Sequence, residues 1–517
     1  MKYLFLLLAV FTVATSCKRK EPAEVHKESR TVALDTTSFD AFFARHPKFA
    51  TYRKDIAQLY VRHEAHCIWY DKAGRIDFAE VLYNAATQMD EEGVVGPIPY
   101  ASEYEALFDK EAHKSKPTAE NELLITSLYF FYTAKVYEGL DPTHSKETGW
   151  YLPRDKTSYV DYLDKLMKEP DLIRKDASEQ LGQYYNLRKA LQRYRDIRDK
   201  GGWPVLEMPT GKKVLKPGET DPLIAAVRKR LALSGDLTND SGSTTFDREL
   251  EEAIQQYNQR QARDAEGLIT PALLSEWSVP VEDRIRTLTV NMERCRWLSP
   301  DILDAKEVIG VNIPSFRMAY FRDGKPVFWS KVVVGKEMNK TVVFSGKISY
   351  LVFSPYWNVP TSILENEIKP GIAKDPDYLE KHNMEWNGPN VRQKPGDNNS
   401  LGLVKFMFPN TNNIYLHDTP AKSLFGRDVR ALSHGCVRVE KARELAITLL
   451  KDDPKWTSER VDRAMHAGKE TVYTLKRKIP VYIAYFTAWA DAEGRVAFFP
   501  DVYDRDQRLA GLLYDAN

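Results

Sequence analysis

The 517-residue sequence predicts a multidomain α+β protein: a helical scaffold domain, a small helical domain, and a mainly β domain that carries a capping insertion. Three observations predict it. At roughly 100–200 residues per domain, the length asks for about three packed units rather than one core. Apolar residues follow helical spacing up to about residue 300, and from about 305 onward the pattern changes to strands. A connector rich in proline and glycine, GWPVLEMPTGKKVLKPGETD, separates the first helical region from the second. Composition narrows the function. Lysine and arginine (74) balance aspartate and glutamate (73), so no overall positive field draws in nucleic acid. With 26 Gly, 28 Pro and 11% aromatic residues, the chain is neither collagen-like nor broadly disordered.

The N-terminus reads as an export signal. Lys2 is followed by an apolar run to about Val13 and then by Ala14, Thr15 and Ser16 before Cys17. The run is too short to span a bilayer, which takes about 20 apolar residues. Cys17 after Ala14-Thr15-Ser16 resembles the bacterial lipobox, with Ala14 in place of the usual leucine; ordinary secretion is the alternative. This gives a lipoprotein signal peptide over 1–16, lipidation of Cys17, and a polar tether over 17–38. The remaining cysteines, at 67, 295 and 436, are too sparse for a disulfide framework. Cys67 and Cys295 are read as separate buried thiols, with a pairing between them as the alternative.

Residues 39–202 form the helical scaffold domain. Its clearest element runs from Asn121 to Tyr137 and stops at Gly139, before Asp141-Pro142. The aromatic stripe Tyr129, Phe130, Phe131, Tyr132 and Tyr137 reads as packing. His63, Glu64, His66 and Cys67 invite a metal reading, but the two histidines stand three apart, not in the HExxH spacing, and no second partner set accompanies them. Residues 203–278, connector included, form the small domain, with apolar positions at Leu223, Val227 and Leu231 and at Ala253, Ile254 and Tyr257. AIQQYNQRQ, a turn at Gly267 to Pro271 and a Leu-rich helix resemble the peptidoglycan-binding module of bacterial wall enzymes; a structural spacer is the alternative. A linking helix spans 279–304.

Residues 305–510 form the mainly β domain. Alternation on either side of Asp323-Gly324 predicts a hairpin, and PVYIAYFTAW returns across Asp491 to Gly494 into RVAFFPDVY. Residues 362–400 break the strand pattern with four prolines and several Gly and Asn, an insertion of the length that commonly serves as a lid.

The chemistry concentrates in NIYLHDTP (413–420) and SHGCVR (433–438). A cysteine nucleophile needs a base within reach, a group that orients the base, and amide donors for an oxyanion. His417 ends a strand-like run and Cys436 follows 19 residues later, far enough for a loop to return the thiol to the imidazole. Gly435 permits close backbone approach, so the Gly435 and Cys436 amides are candidate oxyanion donors. Two rival readings are a zinc site on His417, His434 and Cys436, which lacks a fourth ligand at typical spacing, and a tight structural turn around a buried thiol. In papain-like or NlpC/P60-type peptidases the cysteine precedes the histidine, the reverse of the order here.

HDTP followed by SHGCVR resembles the signature of the L,D-transpeptidase (YkuD) family. Arg438, KSLFGRDVRALSHGCVR, PYWNVP and SLGLVKFMFPN are similar to its large, YcbB-type members, which carry a helical scaffold and a small peptidoglycan-binding module before the catalytic domain. The resemblance implies Cys436 as nucleophile and His417 as general acid/base, oriented by a backbone carbonyl rather than by Asp418. It implies that Ser433, His434 and Gly435 shape the loop, and that Tyr415, Arg438 and Trp357 contact substrate. No metal or organic cofactor is implied. The implied partners are peptidoglycan stem peptides, a tetrapeptide donor and a diamino-acid amine acceptor, joined in 3→3 crosslinks; hydrolysis would make the protein an L,D-carboxypeptidase, and a wall-binding scaffold with an inactive site is the reading from another class. Carbapenem acylation of the cysteine is implied as well. The expected location is periplasmic and lipid-anchored, with Lys18 after Cys17 consistent with the outer membrane. One departure from the family is Thr341-Val342-Val343-Phe344, where relatives often carry a proline; it is expected to affect a strand edge and not the chemistry.

Overall fold

The computed structural model describes residues 32–109, 117–154, 158–175, 180–299, 302 and 305–515. The signal peptide, most of the tether and Cys17 lie outside the described residues.

The first helical region is built around Ala119–Thr133, whose residues from Glu122 to Thr133 are all buried. A helix buried on every side has no solvent face, so other helices must surround it. Arg53–Arg62, Asp77–Thr87, Ala101–Leu107 and Tyr159–Lys168 supply that shell and form one hydrophobic cluster with it. The Thr118 side chain caps its N-terminus by accepting from the Asn121 amide. The helix stops at Thr133, earlier than its apolar pattern suggested, and gives way to a wider turn over Ala134–Glu138. Gly139 then turns the chain at φ +70°. A Cβ there would lie 2.1 Å from Glu293 Oε1, so the position admits only glycine.

The last helix of the expected scaffold domain packs into a second core. Gly182–Asp199 buries Tyr184, Leu187, Leu191 and Tyr194 in the cluster that contains the β domain, together with Val281–Arg296. Periodicity shows that a helix has an apolar face but not what covers it. The expected linking helix is likewise a buried element: Asn291, Glu293, Arg294 and Arg296 are all within the core. Glu293 accepts from the Leu140 amide (2.5 Å) and Trp297 Nε1 (2.9 Å), and Arg296 donates to Glu293 (2.9 Å) and to the Val136 carbonyl (2.8 Å). These bonds join the two helical layers at the Gly139 turn.

Between those two helices sit Pro222–Ser234, Arg248–Arg260 and Pro271–Trp277, three helices around Leu231, Leu250, Ile254 and Trp277. Asp221, Asp247 and Thr270 cap them in turn.

The β domain is a closed sheet. Its strands are β1 (Glu307–Asn312), β2 (Arg317–Arg322), β3 (Lys325–Gly335), β4 (Phe344–Phe353), β5 (Val404–Met407), β6 (Leu416–His417), β7 (Ala431–Ser433), β8 (Val437–Val439) and β9 (Thr471–Ala484). The order β3-β8-β6-β5-β4-β9-β1-β2 closes when β2 pairs with β3, and β7 lies against the outer side of β3. Closure leaves the ring without a free edge. The Asp323-Gly324 turn joins β2 to β3 with both residues at positive φ, the turn that such a hairpin requires. Ala488–Ala490 and Val496–Phe498 pair as a separate two-stranded ribbon beyond β9.

The insertion between β4 and β5 is a lobe with its own small core. Trp357–Asn358, Asn390–Gln393 and Met384–Asn387 make a three-stranded sheet, and Val359, Ile363, Leu364, Ile368, Met384 and Val391 fill it. The lobe thus begins at Trp357, ahead of the expected 362. Cys67, Cys295 and Cys436 are free thiols, Cys67 half-buried and Cys295 buried.

Candidate active site

Strand register builds the site. In the parallel β6–β8 pair Leu416 lies beside Val437 and His417 beside Arg438. Alternation sends Leu416 and Val437, both fully buried, into the core. It therefore places Tyr415, His417, Cys436 and Arg438 together on the other face. The Val437 amide donates to the Tyr415 carbonyl (3.1 Å), which holds the residue before His417's strand alongside Cys436.

His417 is buried, and its Nδ1 bonds the Asp418 backbone carbonyl at 2.5 Å. That carbonyl accepts, so the proton resides on Nδ1 and Nε2 is left as the acceptor. The Asp418 carboxylate points away, accepting from the Leu403 amide (2.9 Å) and Lys422 Nζ (2.7 Å). Burial and the Arg438 charge lower the His417 pKa from 6.5 to about 4, against the pull of the Asp418 and Leu401 backbone. Burial pushes the Cys436 thiol up, opposed by hydrogen bonds from the Tyr415 amide and hydroxyl and by the Arg438 charge. The thiol also donates to the Asn413 carbonyl at 3.7 Å. The resting groups are consequently neutral, a thiol at Cys436 and an imidazole at His417. Burial and the Cys436 thiol raise the Tyr415 phenol, so it remains a donor.

The nucleophile loop is fixed from within. Ser433 Oγ donates to the Cys436 carbonyl (2.6 Å) and accepts the Gly435 amide (3.1 Å). The Gly435 amide is thereby occupied, which removes it as an oxyanion donor and corrects the expectation from sequence. The Cys436 amide has no hydrogen-bond partner among the described residues. His434 points outward, 3.7 Å from Glu367 of the lobe. Arg438 is half-buried, its side chain makes no hydrogen bond among the described residues, and its Nε is buried without a partner. Trp357 packs against the lobe's own core.

Sequence reasoning missed several neighbours. Lys405 is the register partner of His417 on the β5 side and so shares its face; burial lowers its pKa, opposed by the Glu470 charge. Glu367, Asn413, Thr341 and Tyr503 were given no role; Asn413 stood only within the NIYLHDTP motif, and Thr341 only as a departure from the family pattern. Among the described residues no group of three or more His, Cys, Asp or Glu is placed to hold a metal ion.

Residues 306–463 match the YkuD family model, described as the L,D-transpeptidase catalytic domain. The chain carries a YkuD-family L,D-transpeptidase catalytic domain. Residues 54–191 match a scaffold-domain model, so the YkuD domain is preceded by the helical partner that the sequence resemblance implied. A Haemophilus influenzae protein named as a candidate L,D-transpeptidase is 37% identical over 251 residues, covering 44% of this chain and 50% of that one. The chain thus spans about half the length of the curated relative it matches. Among solved structures, an L,D-transpeptidase from Stackebrandtia nassauensis aligns with a TM-score of 0.24 at 15% identity, over 54% of this chain and 97% of that one. One from Mycobacterium smegmatis aligns with a TM-score of 0.21 at 10% identity, over 35% and 58%. The YkuD match extends across β1 to β8 and ends before β9, the strand that joins β4 to β1.

Proposed function

We propose that the protein is a peptidoglycan L,D-transpeptidase that forms 3→3 crosslinks through a cysteine thioester. The observation that carries this reading is the placement of Cys436 and His417 on one face of adjoining strands, as a neutral thiol and imidazole. As Cys436 sulfur bonds the carbonyl carbon of the third stem residue, its proton passes to His417 Nε2, and His417 delivers it to the nitrogen of the departing D-Ala. A thioester remains. The uncharged amine of a neighbouring third residue then attacks, loses a proton to His417 and expels the thiolate, which recovers that proton. Water in place of the amine gives carboxypeptidase activity. Arg438, a cation with no ion-pair partner among the described residues, suits a substrate that carries carboxylates, and the lobe beside His434 suits the exclusion of water.

Under this reading Cys17 is lipidated after removal of residues 1–16, and the tether lets the enzyme reach the wall from a membrane on the periplasmic side. The test is intact mass spectrometry of the protein and of Cys436→Ala with a disaccharide-tetrapeptide. D-Ala release with dimer from the unsubstituted protein alone supports the reading. Tripeptide without dimer makes it a carboxypeptidase, and a folded protein with neither product refutes both.

A further inference from the structure

Thr341 does more than finish a strand edge. It is wholly buried. Its Oγ1 accepts the Gly335 amide at 2.9 Å and donates to the Gly435 carbonyl at 2.8 Å. Its own amide donates to the Tyr503 hydroxyl (3.1 Å), which donates onward to the Gly335 carbonyl (2.6 Å). The end of β3, the segment leading to β4 and the C-terminal Tyr503 therefore close on one carbonyl of the nucleophile loop.

That carbonyl and the Cys436 amide are the two ends of one peptide unit. A trans peptide points them in opposite directions, so whatever holds the C=O fixes the aim of the N–H. Gly435, at φ +116°, offers little resistance to that unit turning over. The Gly435 amide is taken by Ser433, which leaves the Cys436 amide as the free donor at the nucleophile. We propose that Thr341 is the positioning residue of the oxyanion site: by holding the Gly435 carbonyl, it aims the Cys436 amide at the oxygen of the carbonyl under attack and polarises it as a donor. This rests on the acyl-transfer reading above.

The test compares two reactions of the same sulfur in the full chain. Alkylation by iodoacetamide forms a sulfur–carbon bond as iodide leaves, with the thiol proton lost to solvent, and develops no oxyanion. Acylation by a carbapenem opens the lactam amide through a tetrahedral oxyanion. In Thr341→Val, acylation of Cys436 is expected to slow about 100-fold, as loss of an oxyanion donor does, while alkylation, followed by mass mapping of the Cys436 peptide, stays within about twofold. Thr341→Ser, which restores the hydroxyl, is expected to recover acylation. Tyr503→Phe, which leaves Thr341 in place but loosens it, is expected to lower acylation about tenfold with alkylation again unchanged. Equal slowing of both reactions, or undiminished acylation in Thr341→Val or, should that variant not fold, in Tyr503→Phe, overturns the proposal. A wild type that alkylates but neither acylates nor releases D-Ala refutes the acyl-transfer reading itself, and this inference with it.

Discussion

Glu367 Oε1 lies 3.7 Å from His434 Nε2, so the lobe inserted between β4 and β5 touches the loop that carries the nucleophile. Both side chains are about half exposed, and exposed pairs of this kind contribute little on their own. Replacing Glu367 by glutamine is therefore expected to raise KM for the stem peptide, and the hydrolysed fraction of product, by no more than about fivefold. Acylation at saturating donor should hold. Steady-state kinetics with separate counting of tripeptide and dimer checks this, and a loss in acylation itself would give Glu367 a different role.

The depressed His417 pKa sets the acidic limb. Activity requires the neutral imidazole, so kcat/KM is expected to persist below pH 6.5 and to fall as pH drops through about 4. Arg438 is one cause of the depression, and Arg438→Gln should move the limb toward higher pH. A pH–rate profile of the two proteins decides it; an unmoved limb would remove Arg438 as a cause.

The same shift carries a stability consequence. Between about pH 4 and 6.5 the unfolded chain holds a proton on His417 that the folded protein does not, so stability is full above 6.5 and declines as pH falls. At about 1.4 kcal/mol per decade of pKa, the loss from this group is on the order of 3 kcal/mol. Glu122 acts in the opposite sense. Burial raises its pKa from 4.5 to about 7, so its contribution is full below 4.5 and is lost as pH rises through 7. Urea midpoints at pH 5 and pH 7 should therefore move further upward with pH in Glu122→Gln than in the parent protein.

Loss of either catalytic group should be nearly complete for transfer. Cys436→Ala is expected to abolish D-Ala release, and His417→Gln to lower it about 100- to 10,000-fold, the range for removing a general base. Intact mass reads both, and turnover by Cys436→Ala would place the nucleophile elsewhere.

A methyl group at Gly139 meets Glu293 Oε1 at 2.1 Å on a backbone with positive φ. Gly139→Ala is expected to destabilise the protein by about 2 kcal/mol or more, through strain and a displaced carboxylate. A urea titration unchanged by this substitution would show that the turn and Glu293 move apart freely.

What could be read from the chain followed the range of the contacts. The adjoining segments that carry His417 and Cys436 were legible because a short motif at short spacing encodes them, and the lobe because Pro, Gly and Asn interrupt an alternating pattern. The hydrogen bond from Thr341 to Gly435 was not legible because the two lie 94 residues apart and meet only when β3 pairs with β7 and β8. The Gly435 amide was misassigned for a related reason: sequence shows which donors exist, and only geometry shows that Ser433 has already taken one. Which core helix Gly182–Asp199 enters was not legible, because amphipathicity carries no address.

The small three-helix unit departs from the molecule and comes back at nearly one place. Trp203 Nε1, at its start, donates to the Val279 carbonyl, at its end, over 3.0 Å. The helices that flank it, Gly182–Asp199 and Val281–Arg296, pack on one another within the core of the β domain. In engineering terms the unit is a cassette plugged into a helical hairpin: a short loop in its place should leave the hairpin closed, whereas a fragment begun at residue 306 would discard both helices and lay bare the Ala488–Ala490 and Val496–Phe498 ribbon that they pack against.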